Sequence, residues 1–176
     1  FVYGALAVLF GKLFFPPGNE TAGLLLALAT FGVGFAVRPL GAFVFGFFGD
    51  RFGRKHTFLL TITLMALATA AIGLLGTYAQ IGIAAPILLV ALRAIQGLAI
   101  GGEYGGAAIY VAEHAPADKR GLYTGWIQIG ATSGAMLSFL AVIVTSQSLG
   151  EQAWLEWGWR LPFLFSLPLL AISLWV

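Results

Sequence analysis

Gly46-Phe-Phe-Gly-Asp-Arg-Phe-Gly-Arg-Lys55 lies between two long apolar runs. It gathers Asp50, Arg51, Arg54 and Lys55, although Asp, Glu, Lys and Arg make up only 9% of the 176-residue chain. Hydrophobic residues account for 60% of the sequence, and the mean hydropathy is +0.95. A soluble domain is roughly 25% charged; a chain this poor in charge has too little polar surface to face water. The composition predicts an integral membrane protein, and the charged stretch then reads as a loop between two spanning segments.

Working outward from that loop, each apolar run is tested against the about 20 residues that a spanning helix needs. Six segments are expected, at roughly 1–15, 21–48, 57–78, 86–113, 121–147 and 159–176. They are separated by turn-rich breaks such as Pro16-Pro-Gly-Asn-Glu20 and Pro116-Ala-Asp-Lys-Arg-Gly121. Runs of this length without polar alternation argue against barrel strands, so the expected fold class is an all-α integral membrane bundle of six transmembrane helices. The chain opens and closes inside hydrophobic runs, without an initiator Met or a basic leader. It is expected to be part of a longer polypeptide.

Orientation follows from the basic residues. Arg51, Arg54 and Lys55 sit in one loop, Lys119 and Arg120 in another, and the two fall on the same side of a six-helix weave. Basic loops favour the cytoplasm, which also turns both ends of the chain inward. Trp154, Trp157 and Trp159 are expected in the outer headgroup layer. Topology leaves Asp50 and the glycines of the quoted stretch unexplained. Either the loop is a solvated basic turn, or it is a structured joint. In a joint, Gly46 and Gly49 admit a close helix neighbour, Gly53 permits a turn that a side chain would forbid, and Asp50 pairs with Arg54 if the helix continues.

Arg38, Arg93 and Glu103 fall inside apolar runs. A charge at the centre of a spanning helix costs about 2.5–3.5 kcal/mol on insertion scales, and such groups usually face a bundle interior or a wet cavity. Helical periodicity puts Arg93, Gln96, Ile100, Glu103 and Tyr104 on one broad face. Arg93 and Glu103 stand about 15 Å apart along that helix, too far to pair, so each needs another partner: substrate, water or a second helix. The competing structural readings are arginines that tie helices together through backbone carbonyls, and a Glu103 that makes a packing hydrogen bond. The stripes Gly97, Gly101, Gly105 and Gly121, Gly125, with Gly130, Gly134, are expected to pack helices within the bundle.

Other chemistries are excluded. Without Cys there is no disulfide, thiolate metal site or cysteine nucleophile in this sequence. No Walker loop is present, and no His or acidic residues have metal-ligand spacing. No cofactor and no enzymatic activity are expected. A net charge of +2 does not suggest a nucleic-acid partner.

The spacing Gly46-x-x-x-Asp50-Arg51-x-Gly53-Arg54-Lys55 resembles the signature loop between helices 2 and 3 of the major facilitator superfamily. Arg38-Pro-Leu-Gly-Ala42, Arg93-Ala-Ile-Gln-Gly97, Gly101-Gly-Glu-Tyr-Gly-Gly-Ala107 and Trp157-Gly-Trp-Arg-Leu-Pro-Phe163 look like its metabolite:proton symporter family, which includes permeases for shikimate, α-ketoglutarate, citrate and betaines. The resemblance implies the amino-terminal six-helix half, a 3+3 repeat, of a twelve-helix carrier in the bacterial inner membrane. It implies alternating access driven by the proton gradient, with a small polar metabolite and protons as cargo and the C-terminal half of the same polypeptide as partner. Arg93-x-x-Gln-Gly97 is similar to a helix 4 motif associated with proton coupling. In this family an Asp commonly stands just ahead of a segment like Phe1-Val-Tyr-Gly4. Gly46, Asp50, Arg51, Gly53, Arg54 and Lys55, with Glu113 and Arg120, are the expected cytoplasmic gate. Arg38, Arg93, Gln96, Glu103 and Tyr104 are the expected substrate and proton pathway. The alternatives are a six-helix channel-like facilitator and a non-transporting solute sensor.

Overall fold

The computed structural model describes residues 2–175; Phe1 and Val176, the outermost residues of the expected first and sixth segments, lie outside them. Every element among the described residues is helical. The first segment is α1 (Val2–Ala5) and α2 (Ala7–Phe14), and the second is α3 (Glu20–Ala36) followed by α4 (Arg38–Phe52). Then come α5 (Arg54–Leu74), the single turn α6 (Tyr78–Ile81), α7 (Ala84–His114) and α8 (Arg120–Leu149). The chain closes with α9 (Glu151–Glu156), a 3-10 turn at Gly158–Arg160, α10 (Leu161–Leu164) and α11 (Ser166–Trp175). Glu20–Phe52, Arg54–Leu74, Ala84–His114 and Arg120–Leu149 are long and apolar enough to cross a membrane, and Gly158–Ile172 is a shorter apolar stretch.

Local sequence sets the starts and interruptions. Asn19 caps α3 through its side-chain oxygen, which accepts from the amides of Thr21 and Ala22. Pro39 cannot donate to the turn before it, so the second segment is interrupted at Val37, between α3 and α4. Helix α4 carries on past the expected limit at Phe48, through Asp50 and Arg51, to Phe52. It stops at Gly53, whose φ of 92° suits a residue without a side chain. The chain turns there and α5 begins at once with Arg54. Because Gly53 leaves helical geometry, the expected Asp50–Arg54 pair does not form; Arg54 turns to Glu113 instead.

Helix α7 is the hub: α3, α4, α5 and α8 all pack on it. Its contacts with α3 and α4 are close because small residues meet backbone. A Cβ on Gly97 would overlap the carbonyl of Gly34, and one on Gly101 would overlap that of Arg38. The stripe on α8 behaves differently. Around Gly121, Gly125, Gly130 and Gly134 nothing lies within contact distance, and Thr145 is the one residue of α8 that is buried. The expectation of packing within the bundle therefore holds for Gly97 and Gly101 but not for Gly105 or for the α8 stripe. A glycine row permits close approach without supplying the neighbour.

The apolar core gathers at the end opposite the basic loops. Phe10 and Phe14 of α2 meet Trp159 edge-on, at centroid distances of 5.5 and 5.6 Å, and Phe163 stacks on Phe10 at 5.6 Å. This corrects the placement of the tryptophans. Trp159 is fully buried and Trp154 nearly so, and Trp157 alone of the three is exposed. The fold-back through α9 brings Trp159 onto the aromatic end of α2 and Trp154 into the same core, where they remove more apolar surface from solvent than a headgroup position would. Arg160 anchors the same junction by donating to the Gly73 carbonyl at 3.2 Å.

Candidate functional site

Arg93 sits in the first third of α7, and its surroundings come from three other helices. Its guanidinium carbon lies 4.3 Å from the Tyr3 ring centroid and 4.9 Å from that of Phe31. Tyr3 is fixed by a hydrogen bond from its hydroxyl to the Ala27 carbonyl, 2.9 Å. Arg93 Nη1 donates to Gln96 Oε1 at 2.6 Å. Gln96 Nε2 donates to the Thr69 hydroxyl at 2.7 Å, and Thr69 donates to the Met65 carbonyl at 2.7 Å. Aromatic faces attract a cation through their quadrupole, and the chain through Gln96 satisfies one of the guanidinium N–H groups. The Nε of Arg93 is buried and has no hydrogen-bond partner.

Arg38 repeats part of this pattern. Its guanidinium carbon lies 3.9 Å from the Phe35 ring centroid, and its Nε is likewise buried and unbonded. The ion pairs among the described residues are Lys12–Glu20 at 3.0 Å and Arg54–Glu113 at 2.6 Å, so neither intramembrane arginine faces a carboxylate. Arg38, Ile100 and Tyr104 line a shallow, open cavity of about 390 Å³, into which the exposed Tyr104 ring projects.

Glu103 is not on that side. It lines a separate cavity of about 380 Å³ with Thr69, Met65, Ser138 and Ser166, between α5, α8 and α11. Consecutive helical residues point about 100° apart, and this is enough to send Tyr104 to the Arg38 cavity and Glu103 to the other. The broad face expected for Arg93, Gln96, Glu103 and Tyr104 thus splits along α7. Gln96 bridges the two halves, because it touches Arg93 on one side and Thr69, a wall residue of the Glu103 cavity, on the other.

At the basic end, Gly46, Asp50 and Arg54 line a cavity of about 140 Å³ between α4, α5 and α7. Lys55 lines a neighbouring cavity of about 410 Å³ with Phe58 and Tyr110. Of the expected charge network, the described residues make one bond, Arg54 to Glu113. Asp50, Arg51, Lys55 and Arg120 form no ion pair among them. Sequence reading missed Thr69, Tyr3, Phe31 and Phe35. The only available signal was their polar or aromatic character, which many residues of such a chain share.

Two intramembrane arginines, one of them beside an open cavity, in a bundle with a charged joint at one end, fit a polytopic membrane protein of the carrier class. Residues 2–176 match the model of the sugar (and other) transporter family. The chain belongs to that family, in the major facilitator superfamily, which is one of carriers rather than enzymes. It is 50% identical over 176 residues to the shikimate transporter of Escherichia coli K12, which covers 99% of this chain and 40% of that protein. It is 46% identical to the proline/betaine transporter of Salmonella typhimurium, over 99% of this chain and 35% of that one. The inner membrane metabolite transport protein YhjE of Escherichia coli K12 is also 46% identical, over 100% of this chain and 40% of its own. The chain therefore spans well under half the length of these relatives. Its fold is that of the proton:xylose symporter XylE, with a TM-score of 0.83 at 20% identity over 99% of this chain and 40% of the other. The inward-open form of XylE from Escherichia coli gives 0.81 at 21% identity, over 99% of this chain and 43% of that one. The chain is an all-helical fragment of a major facilitator transporter.

Proposed function

We propose that the polypeptide to which this bundle belongs is a proton-coupled symporter of small carboxylate-bearing metabolites, organic acids or zwitterions, working by alternating access in a bacterial inner membrane. The observation that carries the reading is the pair Arg38 and Arg93: two guanidinium groups inside spanning helices, each with an unbonded buried N–H and neither with an acidic partner among the described residues. Charge in that position calls for an anion. Shikimate, proline and betaine, the solutes in the names of two relatives, all carry a carboxylate. The open cavity of Arg38 and Tyr104 receives the solute. Arg93, held by Gln96, biases the proton affinity of a carboxylate, and Glu103 in its own cavity is the candidate proton carrier within this chain. The basic loops face the cytoplasm, and no cofactor takes part.

The test is uptake by the full-length protein in proteoliposomes, with shikimate, proline and betaine offered with and without a pH gradient. Accumulation above the outside concentration that collapses with an uncoupler is the expected result. Equilibration indifferent to the uncoupler would identify a facilitator, and binding without flux a sensor.

A further inference from the structure

We propose that Thr69 is a positioning residue for Arg93, acting through the orientation of the Gln96 amide. A glutamine amide has nearly the same shape whichever way it is turned, but one end accepts and the other donates. Arg93 has only donors, so the 2.6 Å contact from Nη1 is favourable only with the Gln96 oxygen turned toward it. The opposite end of the amide must then find an acceptor. Gln96 is 5% exposed, so bulk water does not supply one. Thr69 does, and its direction is set from outside the site. A hydroxyl has a single proton, and Thr69 gives it to the Met65 carbonyl at 2.7 Å. Only its lone pairs remain for Gln96 Nε2, at 2.7 Å. A backbone carbonyl of α5 thus fixes the hydroxyl, the hydroxyl fixes the amide, and the amide fixes which edge of the guanidinium stays free. That free edge carries the unbonded Nε.

The inference rests on the reading that Arg93 takes part in coupling, and the experiment separates the two. In the full-length protein, Thr69→Val keeps the side-chain shape and removes the hydroxyl, whereas Thr69→Ser keeps the hydroxyl and removes the methyl. Expected for Thr69→Val is a loss of about tenfold in gradient-driven accumulation, the scale of one buried hydrogen bond to a charged network. Its optimum pH for uptake moves, while solute exchange without net proton movement is preserved. Thr69→Ser behaves as the parent. In a Gln96→Leu background Thr69→Val causes no further loss, because residues acting through one another are not additive. If the valine variant does not insert, Thr69→Ala with the same exchange assay takes its place. Parental accumulation and pH profile in Thr69→Val, or a serine variant as impaired as the valine one, would overturn the proposal in favour of plain packing. If Arg93→Lys is itself unimpaired, the coupling role of Arg93 falls, and the role of Thr69 falls with it.

Discussion

At the scale of single residues, the surroundings of Arg93 explain why charge alone cannot do its work. The guanidinium is planar, lies near two aromatic rings and bonds Gln96 in one fixed direction. An ammonium is a compact point charge without that fork. Arg93→Lys should therefore lower gradient-driven uptake at least about tenfold, the worth of a charge-assisted hydrogen bond of about 1.5–3 kcal/mol. Its level in the membrane should be unchanged; transport and quantified membrane protein from the same vesicles check both. Glu103 makes the complementary prediction. Glu103→Gln keeps the size and hydrogen-bonding ends of the side chain in its cavity but cannot take up and release a proton. It should fold and exchange solute normally, yet fail to accumulate it in response to a pH gradient. Full accumulation by the glutamine variant would assign Glu103 to packing. Arg38, Arg93 and Glu103 were legible in the sequence because a charge in an apolar run is conspicuous. Thr69 was not, since a threonine that bonds the carbonyl one turn back is ordinary in a helix. Its second bond reaches a residue on another helix that no local pattern identifies.

At the scale of elements, the decisive contact is the close crossing of α4 on α7. Arg38 heads α4 and Tyr104 lies one turn beyond Gly101 on α7, so the shared cavity depends on the register of that crossing. Gly101 sets it by lying against the Arg38 carbonyl, where no Cβ fits. Gly101→Ala should push the helices apart, at an overpacking cost of about 1–3 kcal/mol. A lower melting temperature of the purified full-length protein, together with weaker solute binding, is the expected result; an unchanged melting temperature would mean the crossing is softer than its geometry implies. The spacing of small residues announced this interface but announced α8 equally, and only the first has a partner within the bundle. Periodicity reports what a face permits, and the identity of the neighbour is a property of the assembled fold. Residues 21–48 are expected from the sequence as one unbroken segment; Pro39 accounts for the interruption before α4, whereas that between α1 and α2 falls at Leu6, which carries no breaker.

At the scale of the whole molecule, the basic end is where this bundle is visibly incomplete in charge. Arg54 and Glu113 tie the start of α5 to the end of α7, while Asp50, Arg51, Lys55 and Arg120 have no ionic partner among the described residues. The chain covers 40% of the shikimate transporter it resembles; under the proposed function, a second bundle of the same polypeptide supplies the partners. Exposed ion pairs contribute only about 0–1 kcal/mol each, too little to hold two bundles together outright. A two-state carrier needs less, because contacts made in only one state shift its population by their differential free energy. Asp50 lies in the last turn of α4, before the turn at Gly53, and lines the small cavity there with Ala42. If it closes the inner face by meeting the positive end of a helix from the other bundle, removing its charge should favour the inward-open state. The sequence of this chain holds no Cys, so Ala42→Cys introduces a single thiol into it, on the walls of both the Asp50 and the Arg38 cavities. In inside-out vesicles of the full-length protein, freed of other cysteines, Asp50→Asn should speed labelling of that thiol by a membrane-impermeant maleimide about fivefold, the population change that about 1 kcal/mol brings. Concentrative uptake should fall at the same time. Equal labelling rates with parental uptake would leave Asp50 a solvated residue of a basic turn, and the gate would have to be sought elsewhere.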